Sequence, residues 1–138
     1  MNYDDDELPL HSRKSQLHYY GDIVRVLFIL SATLLLLAIT TGANLPLSSV
    51  GTIIAAIILV ITGGITNPEQ HMIHWINEGI AILGVLIFGI SAINNYRAGA
   101  SLNNPSYIYT ELIALISLLA LYYTTKTVRG ILLRTNLS

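Results

Sequence analysis

Residues 26–68 read VLFILSATLLLLAITTGANLPLSSVGTIIAAIILVITGGITNP and contain no Asp, Glu, Lys or Arg. A helix that crosses a membrane needs about 20 apolar residues, so this stretch is long enough for two. The GANLP segment at 42–46 divides it, because glycine and proline end one helix and start the next. The pattern predicts helices near 22–42 and 46–65, the second ending at the glycine pair 63–64.

Two Asn-Pro pairs, at 67–68 and 104–105, predict the starts of two further helices. Asparagine is a good N-cap residue, and proline is favoured at the first helical position. The apolar residues that follow predict helices near 68–94 and 105–134. Together the four segments predict an all-α integral membrane protein, with four transmembrane helices in two hairpins that each run outwards and back.

The composition supports this fold class and excludes several others. Of the 138 residues, 53% are apolar and 11% charged, and the mean hydropathy is +0.61. A soluble domain carries about 25% charged residues. The net charge of −1 would not attract a nucleic acid, and the lack of Cys removes disulfides and zinc-thiolate sites. We divide the chain into a polar N-terminal tail (1–20), a four-helix membrane domain (21–134) and a C-terminal tail (135–138).

The positions of Lys and Arg predict the orientation of the protein in the membrane. Six of these residues fall on the side that holds both termini, and Arg97 alone falls on the opposite side. The positive-inside rule therefore predicts that both termini are cytoplasmic. The six residues on the inner side are Arg13, Lys14, Arg25, Lys126, Arg129 and Arg134.

Aromatic and basic residues at the inner boundary predict contact with lipid headgroups. Tyr and Trp prefer the membrane interface, and long basic side chains extend towards it, where they can contact anionic lipid. The residues that we assign to this interface are Trp75, Tyr122, Tyr123, Arg129 and Arg134.

Two carboxylates fall inside predicted helices. Glu78 lies about two turns into the third helix, and Arg25, one turn into the first helix on the same side, is its predicted partner. Glu111 lies one turn into the fourth helix, near Arg97 in the adjoining loop. An ionised side chain at the bilayer centre costs about 2.5–3.5 kcal/mol and needs a partner. These residues therefore form either an ion or proton site or structural salt bridges that fix the helix register.

Two histidines share a stripe of the third helix with Glu78. His71, His74 and Glu78 are spaced i, i+3 and i+7, which places them on one face. One interpretation is a site for a divalent metal or haem, to which His18 or Asp22 would add ligands, since zinc usually takes three or four. The other is a pair of interfacial histidines on a packing face. That face continues as a seven-residue seam through Ala81, Val85, Phe88, Ala92 and Asn95.

Three functions are compatible with these features. The first is a non-catalytic membrane protein, an accessory subunit or self-associating scaffold, whose partners are the lipid bilayer and other subunits or itself. Small residues such as Gly51 and Ala55 would then form its lateral contact face. The second is a small oligomeric transporter or channel for an ion, proton or solute that uses Glu78 and Arg25. The third is a metal- or haem-binding subunit that uses His71 and His74.

Overall fold

The described part of the chain is helical throughout, apart from short connections. The structure is a computed structural model that describes residues 20–66 and 70–137, with side chains described up to residue 133. Helix accounts for 84% of the described residues, which contain no strand. The four helices are α1 (Gly21–Thr40), α2 (Ser49–Ile65), α3 (His71–Arg97) and α4 (Pro105–Leu137).

The loop between α1 and α2 is longer than the sequence pattern predicts. The chain leaves α1 through Gly42, whose φ of +71° favours a residue without a side chain. Ser48 then caps α2, because its hydroxyl accepts a hydrogen bond from the backbone N–H of Gly51 at 3.1 Å. The cap fixes the start of α2 at Ser49, so Pro46 belongs to the loop and not to the first turn of the helix.

The other helix ends also differ from the sequence pattern by a few residues. α3 continues to Arg97, three residues past the predicted end at 94. The following Gly99 has a φ of +76° and closes the helix with hydrogen bonds back to its last turn. α4 begins at Pro105 as predicted and continues to Leu137, which makes most of the predicted 135–138 tail helical.

α3 contains a π-helical turn at Val85–Gly89, in which one extra residue is accommodated per turn. The seven-residue seam predicted on this helix faces inwards, as expected. Ala81, Phe88 and Ala92 are buried, whereas His71 at the start of the helix is exposed.

Neighbouring helices run antiparallel. The first residues of α1 lie beside the middle of α4, since the Tyr20 and Tyr123 rings are 5.4 Å apart. At the opposite end the backbone N–H of Asn44 donates to the Ser106 hydroxyl at 2.8 Å. We call the end with Tyr20 and Tyr123 the proximal end, and the end with Asn44 and Ser106 the distal end.

Three of the four neighbouring helix pairs pack along their length, and the fourth does not. α1 packs extensively on α2 and α4, and α4 packs extensively on α3. α2 contacts α3 at few positions, mainly within the His71–Gly84 part of α3. The bundle is therefore closed on three sides and loose between α2 and α3.

Two apolar clusters fill the centre of the bundle, and alanine dominates both of them. Small side chains let helices approach closely in a membrane, where close packing replaces the hydrophobic effect as the source of association. One such close approach is at Gly84 of α3, where an added Cβ would lie 2.6 Å from the Ser117 hydroxyl oxygen of α4. The distal cluster contains Ala32, Leu35, Ala56, Phe88, Ala92, Ile113 and Ala114, and the proximal cluster contains Val24, Phe28, Ala81 and Ala120.

Three of the helices are long and apolar enough to cross a membrane. They are Gly21–Thr40, His71–Arg97 and the Pro105–Leu133 part of α4. α2, with 17 residues, is apolar but shorter. Large apolar side chains are exposed on all four helices, as expected for a chain whose outer surface is in contact with lipid.

Candidate functional site

Glu78 reaches from α3 to α4 at the proximal end. Its Oε1 accepts a hydrogen bond from the Thr125 hydroxyl at 2.8 Å. Its Oε2 is buried and has no hydrogen-bond partner within the described residues. A buried oxygen of this kind is costly whether the carboxyl is ionised or protonated, because the ionised form needs donors and the protonated form needs an acceptor.

Arg25 is not the partner of Glu78. Its guanidinium lies 3.8 Å from the Asp22 carboxylate, one turn earlier on the same helix; the Asp22 side chain is 83% exposed and that of Arg25 43%. No ion pair within 4.0 Å joins Arg25 to Glu78 in residues 20–66 and 70–133. The predicted pairing fails because the chain supplies Arg25 with a nearer acid on its own helix, at the surface of the proximal end.

The second predicted pair, Glu111 with Arg97, is not formed either in the described residues. Arg97 is exposed at the end of α3. The Oε2 atom of Glu111 is buried and has no hydrogen-bond partner in the part of the chain that the structure describes. Glu111 and Thr125 are 14 residues apart on α4, which is about 21 Å along the helix axis at 1.5 Å per residue. The two carboxylates therefore lie towards opposite ends of the bundle.

Asn77 is a buried polar residue that the sequence analysis missed. It is 1% exposed, and its Nδ2 donates to the Thr66 hydroxyl at 3.0 Å. The Thr66 hydroxyl donates its proton to the Thr62 carbonyl at 2.7 Å, so it can only accept from Asn77. The amide nitrogen of Asn77, and not its oxygen, therefore faces Thr66. The Asn77 Oδ1 is buried without a partner in the described residues. The sequence signal for Asn77 is an amide side chain in an apolar helix, one turn after His74.

The two histidines of the predicted metal or haem site occupy different environments. His71 is exposed at the start of α3, whereas His74, one turn later, is 3% exposed. His18, the third predicted ligand, lies outside the described residues. Within those residues there is no group of three or more His, Asp or Glu side chains that could hold a metal ion. Metal or haem binding at His71 and His74 stays a prediction that would need ligands from residues 1–19 or 67–69.

The residues predicted to contact lipid headgroups gather at the proximal end. Lys126, which was not among them, is exposed and lies over the Tyr20 and Tyr122 rings at 5.4 and 4.7 Å from their centroids. Trp75 is half-exposed, Tyr122 packs edge-on against Tyr123, and Arg129 is exposed. The backbone of Arg134 is helical, and its side chain lies beyond the described ones.

The geometry defines an all-helical protein with at least three helices that could cross a membrane, polar groups towards both ends and an apolar centre. No family model, curated protein or solved structure matches the chain.

Proposed function

We propose that the chain is a small integral membrane protein with four spanning helices, which acts without catalysis by binding laterally to other membrane-protein subunits or to itself. The length of α2 supports the fourth span, and the positions of the positive residues support the orientation. The outward face of α3 supports lateral binding.

The length of α2 and its packing favour a fourth span. Its 17 residues give about 26 Å of helix, against a hydrocarbon thickness of about 30 Å. The preceding loop residues Leu45 and Leu47 pack against the distal apolar cluster, which extends the apolar length beyond the helix itself. α2 also packs along α1, a helix that is long enough to span.

The antiparallel order favours both termini on one side of the membrane. Tyr20 and Tyr123 are in contact, so α4 reaches the level of the start of α1 at Tyr123, and its remaining residues to Leu137 continue from there. Arg25, Lys126 and Arg129 belong to this end, whereas Arg97 belongs to the other. The positive-inside rule assigns the proximal end to the cytoplasm.

The outward face of α3 is the observation that carries lateral association. In its most apolar part 22% of the residues are buried within the chain, against 33% for α1 and 39% for α4. The face includes Leu83 and Ile90, each 57% exposed, and Gly79, where an added Cβ would meet nothing within 4 Å. The expected face on α2 is corrected, since Ala55 packs inwards against the distal cluster.

Cysteine cross-linking tests this face, because the natural chain has no Cys and gives a clean background. We expect Leu83→Cys and Ile90→Cys to cross-link to a second copy or a co-extracted subunit in native membranes. Leu118→Cys, 50% exposed on α4, is the matched control and should not cross-link. Native mass spectrometry after mild extraction would identify the adduct. A monomer without adducts at any of these positions would contradict the proposal.

The unpartnered Glu78 oxygen favours a second candidate function, transfer of a proton or small cation through an oligomer. An ionisable side chain in a membrane helix marks such pathways when it faces protein or water. The apolar clusters between Glu78 and Glu111 favour a path between subunits over one through a single bundle. Arg25 has no part in this version, since it pairs with Asp22.

Flux through reconstituted vesicles distinguishes this candidate from association alone. Glu78→Gln should abolish proton or cation flux while the oligomer persists. Asp22→Asn is the matched control, because it removes an exposed carboxylate from the same end. Wild-type vesicles that show no flux would eliminate this function, whereas equal loss in both variants would indicate a general charge effect.

A further inference from the structure

A cavity of about 170 Å³ lies between the four helices, at the level of the two apolar clusters. Each helix contributes to its wall: Phe28 and Leu35 from α1, Leu59 from α2, Phe88 from α3, and Ile113 and Ala120 from α4. Membrane helices normally pack without voids of this size, because side chains that line an empty space lose the dispersion contacts that hold the helices together.

The cavity arises from the helix arrangement. α2 contacts α3 at few positions, mainly within the His71–Gly84 part of α3, so the two helices leave a gap between them. Several of the side chains beside this gap are small, among them Ala55 on α2 and Ala81 on α3. The π-helical turn at Val85–Gly89 is at the same level and contributes Ile87 and Phe88 to the wall.

The wall of the cavity is apolar apart from two hydroxyls. Ser31 and Ser117 are the polar side chains among its lining residues. A buried water needs two to four polar partners, and apolar cavities of about 150 Å³ stay dry and take up hydrocarbons such as benzene. The chemistry of the wall therefore selects an apolar occupant.

We propose that this cavity holds part of an acyl chain of a membrane phospholipid, which enters sideways between α2 and α3. The inference rests on the proposed membrane embedding, because embedding places the gap in the hydrocarbon layer, where acyl chains are the surrounding solvent. A chain end in the cavity restores the dispersion contacts that the loose α2–α3 pair lacks.

Photo-cross-linking tests the occupant. The full chain is reconstituted in vesicles of phosphatidylcholine that contain a phosphatidylcholine with a diazirine on one acyl chain. The labelled residues are then mapped by mass spectrometry. We expect label at Ile113, which is 2% exposed and lines the cavity. We also expect label at Leu118, which is 50% exposed on the outer surface.

Two variants of α2 separate the cavity from the outer surface. Ala55→Phe fills the cavity and should abolish the label at Ile113, while the label at Leu118 stays unchanged. Ile54→Phe adds the same ring at the preceding residue, which is 52% exposed, and should change neither label. Leu59→Phe is the second cavity-filling variant, to be used if Ala55→Phe does not fold.

The outcomes separate the two proposals. Label at Leu118 without label at Ile113 in the natural chain overturns the acyl-chain site and leaves the membrane embedding intact. Absence of label at both positions overturns the embedding itself. Stronger labelling of Ile113 by a diazirine-bearing polyprenol than by the phosphatidylcholine probe overturns the assignment of the occupant as an acyl chain.

Discussion

The Glu78 carboxylate on α3 accepts a hydrogen bond from the Thr125 hydroxyl on α4 at 2.8 Å, and its other oxygen is buried without a hydrogen-bond partner among the described residues. This bond joins two antiparallel helices close to the proximal end. The donor therefore lies on α4, whereas the predicted partner, Arg25, lies on α1.

Replacing Thr125 by Val should weaken the bundle. The variant removes the only donor that the described residues offer to Glu78, and a side-chain hydrogen bond contributes about 0.5–1.5 kcal/mol, with a lower average within membranes. We expect a loss of about 1 kcal/mol in the free energy of unfolding in mixed detergent. Thr125→Ser keeps the hydroxyl and should recover most of it. A loss in Thr125→Ser without a loss in Thr125→Val would show that the methyl group matters and the hydrogen bond does not.

Gly84→Ala should destabilise the packing of α3 on α4. The new methyl would lie 2.6 Å from the Ser117 Oγ and 3.1 Å from its Cβ, so rotation of the hydroxyl alone does not relieve the clash. Overpacking of this kind costs about 1–3 kcal/mol. Gly79→Ala on the same helix is the control, since nothing lies within 4 Å of its added Cβ. Thermal unfolding in detergent measures both variants, and Ser117→Gly should rescue Gly84→Ala.

Asn77→Leu and Asn77→Asp should have very different effects. Leu removes the unpartnered Oδ1 at similar volume, and replacing an unsatisfied polar group by an apolar one can be nearly neutral. Both variants remove the donor to Thr66, but Asp also adds a buried carboxyl, which should cost several times as much, at least about 3 kcal/mol. Urea or detergent titration followed by circular dichroism compares the two. Equal destabilisation would show that Oδ1 has a donor outside the described residues.

Labelling from the two sides of the membrane should show that α4 crosses it. Leu102→Cys at the distal end is 74% exposed and should react with a membrane-impermeant maleimide in intact cells. Arg129→Cys at the proximal end should react only after the membrane is opened. Labelling of both positions in intact cells would contradict a crossing by α4 that ends on the cytoplasmic side.

The helices could be predicted from the sequence because their signals are local. The charge-free stretch at 26–68, the Asn-Pro pair at 104–105 and the inward seam of α3 each depend on residues within one segment. The sequence pattern places the start of α2 at 46, whereas the helix starts at Ser49. Both the proline at 46 and the serine at 48 can mark a helix start, and the Ser48 cap determines where the first turn begins.

The site could be predicted only in part, because it depends on which helices are neighbours. Glu78 was recognised as a buried acid, but its partner Thr125 lies 47 residues away, on a helix whose rotation no local pattern fixes. Arg25 was assigned to Glu78 by depth alone, whereas Asp22 is one turn away on the same helix. The cavity had no sequence signal at all, since it is a gap left by the loose α2–α3 pair.

The looseness between α2 and α3 also determines how the bundle would come apart under load. α2 is held along its length by α1, while α1 and α3 are both fastened to α4. A force applied at the loop that follows α2 would therefore act on one extensive interface, the one with α1, and its loss would release α2 while α1, α3 and α4 stay joined.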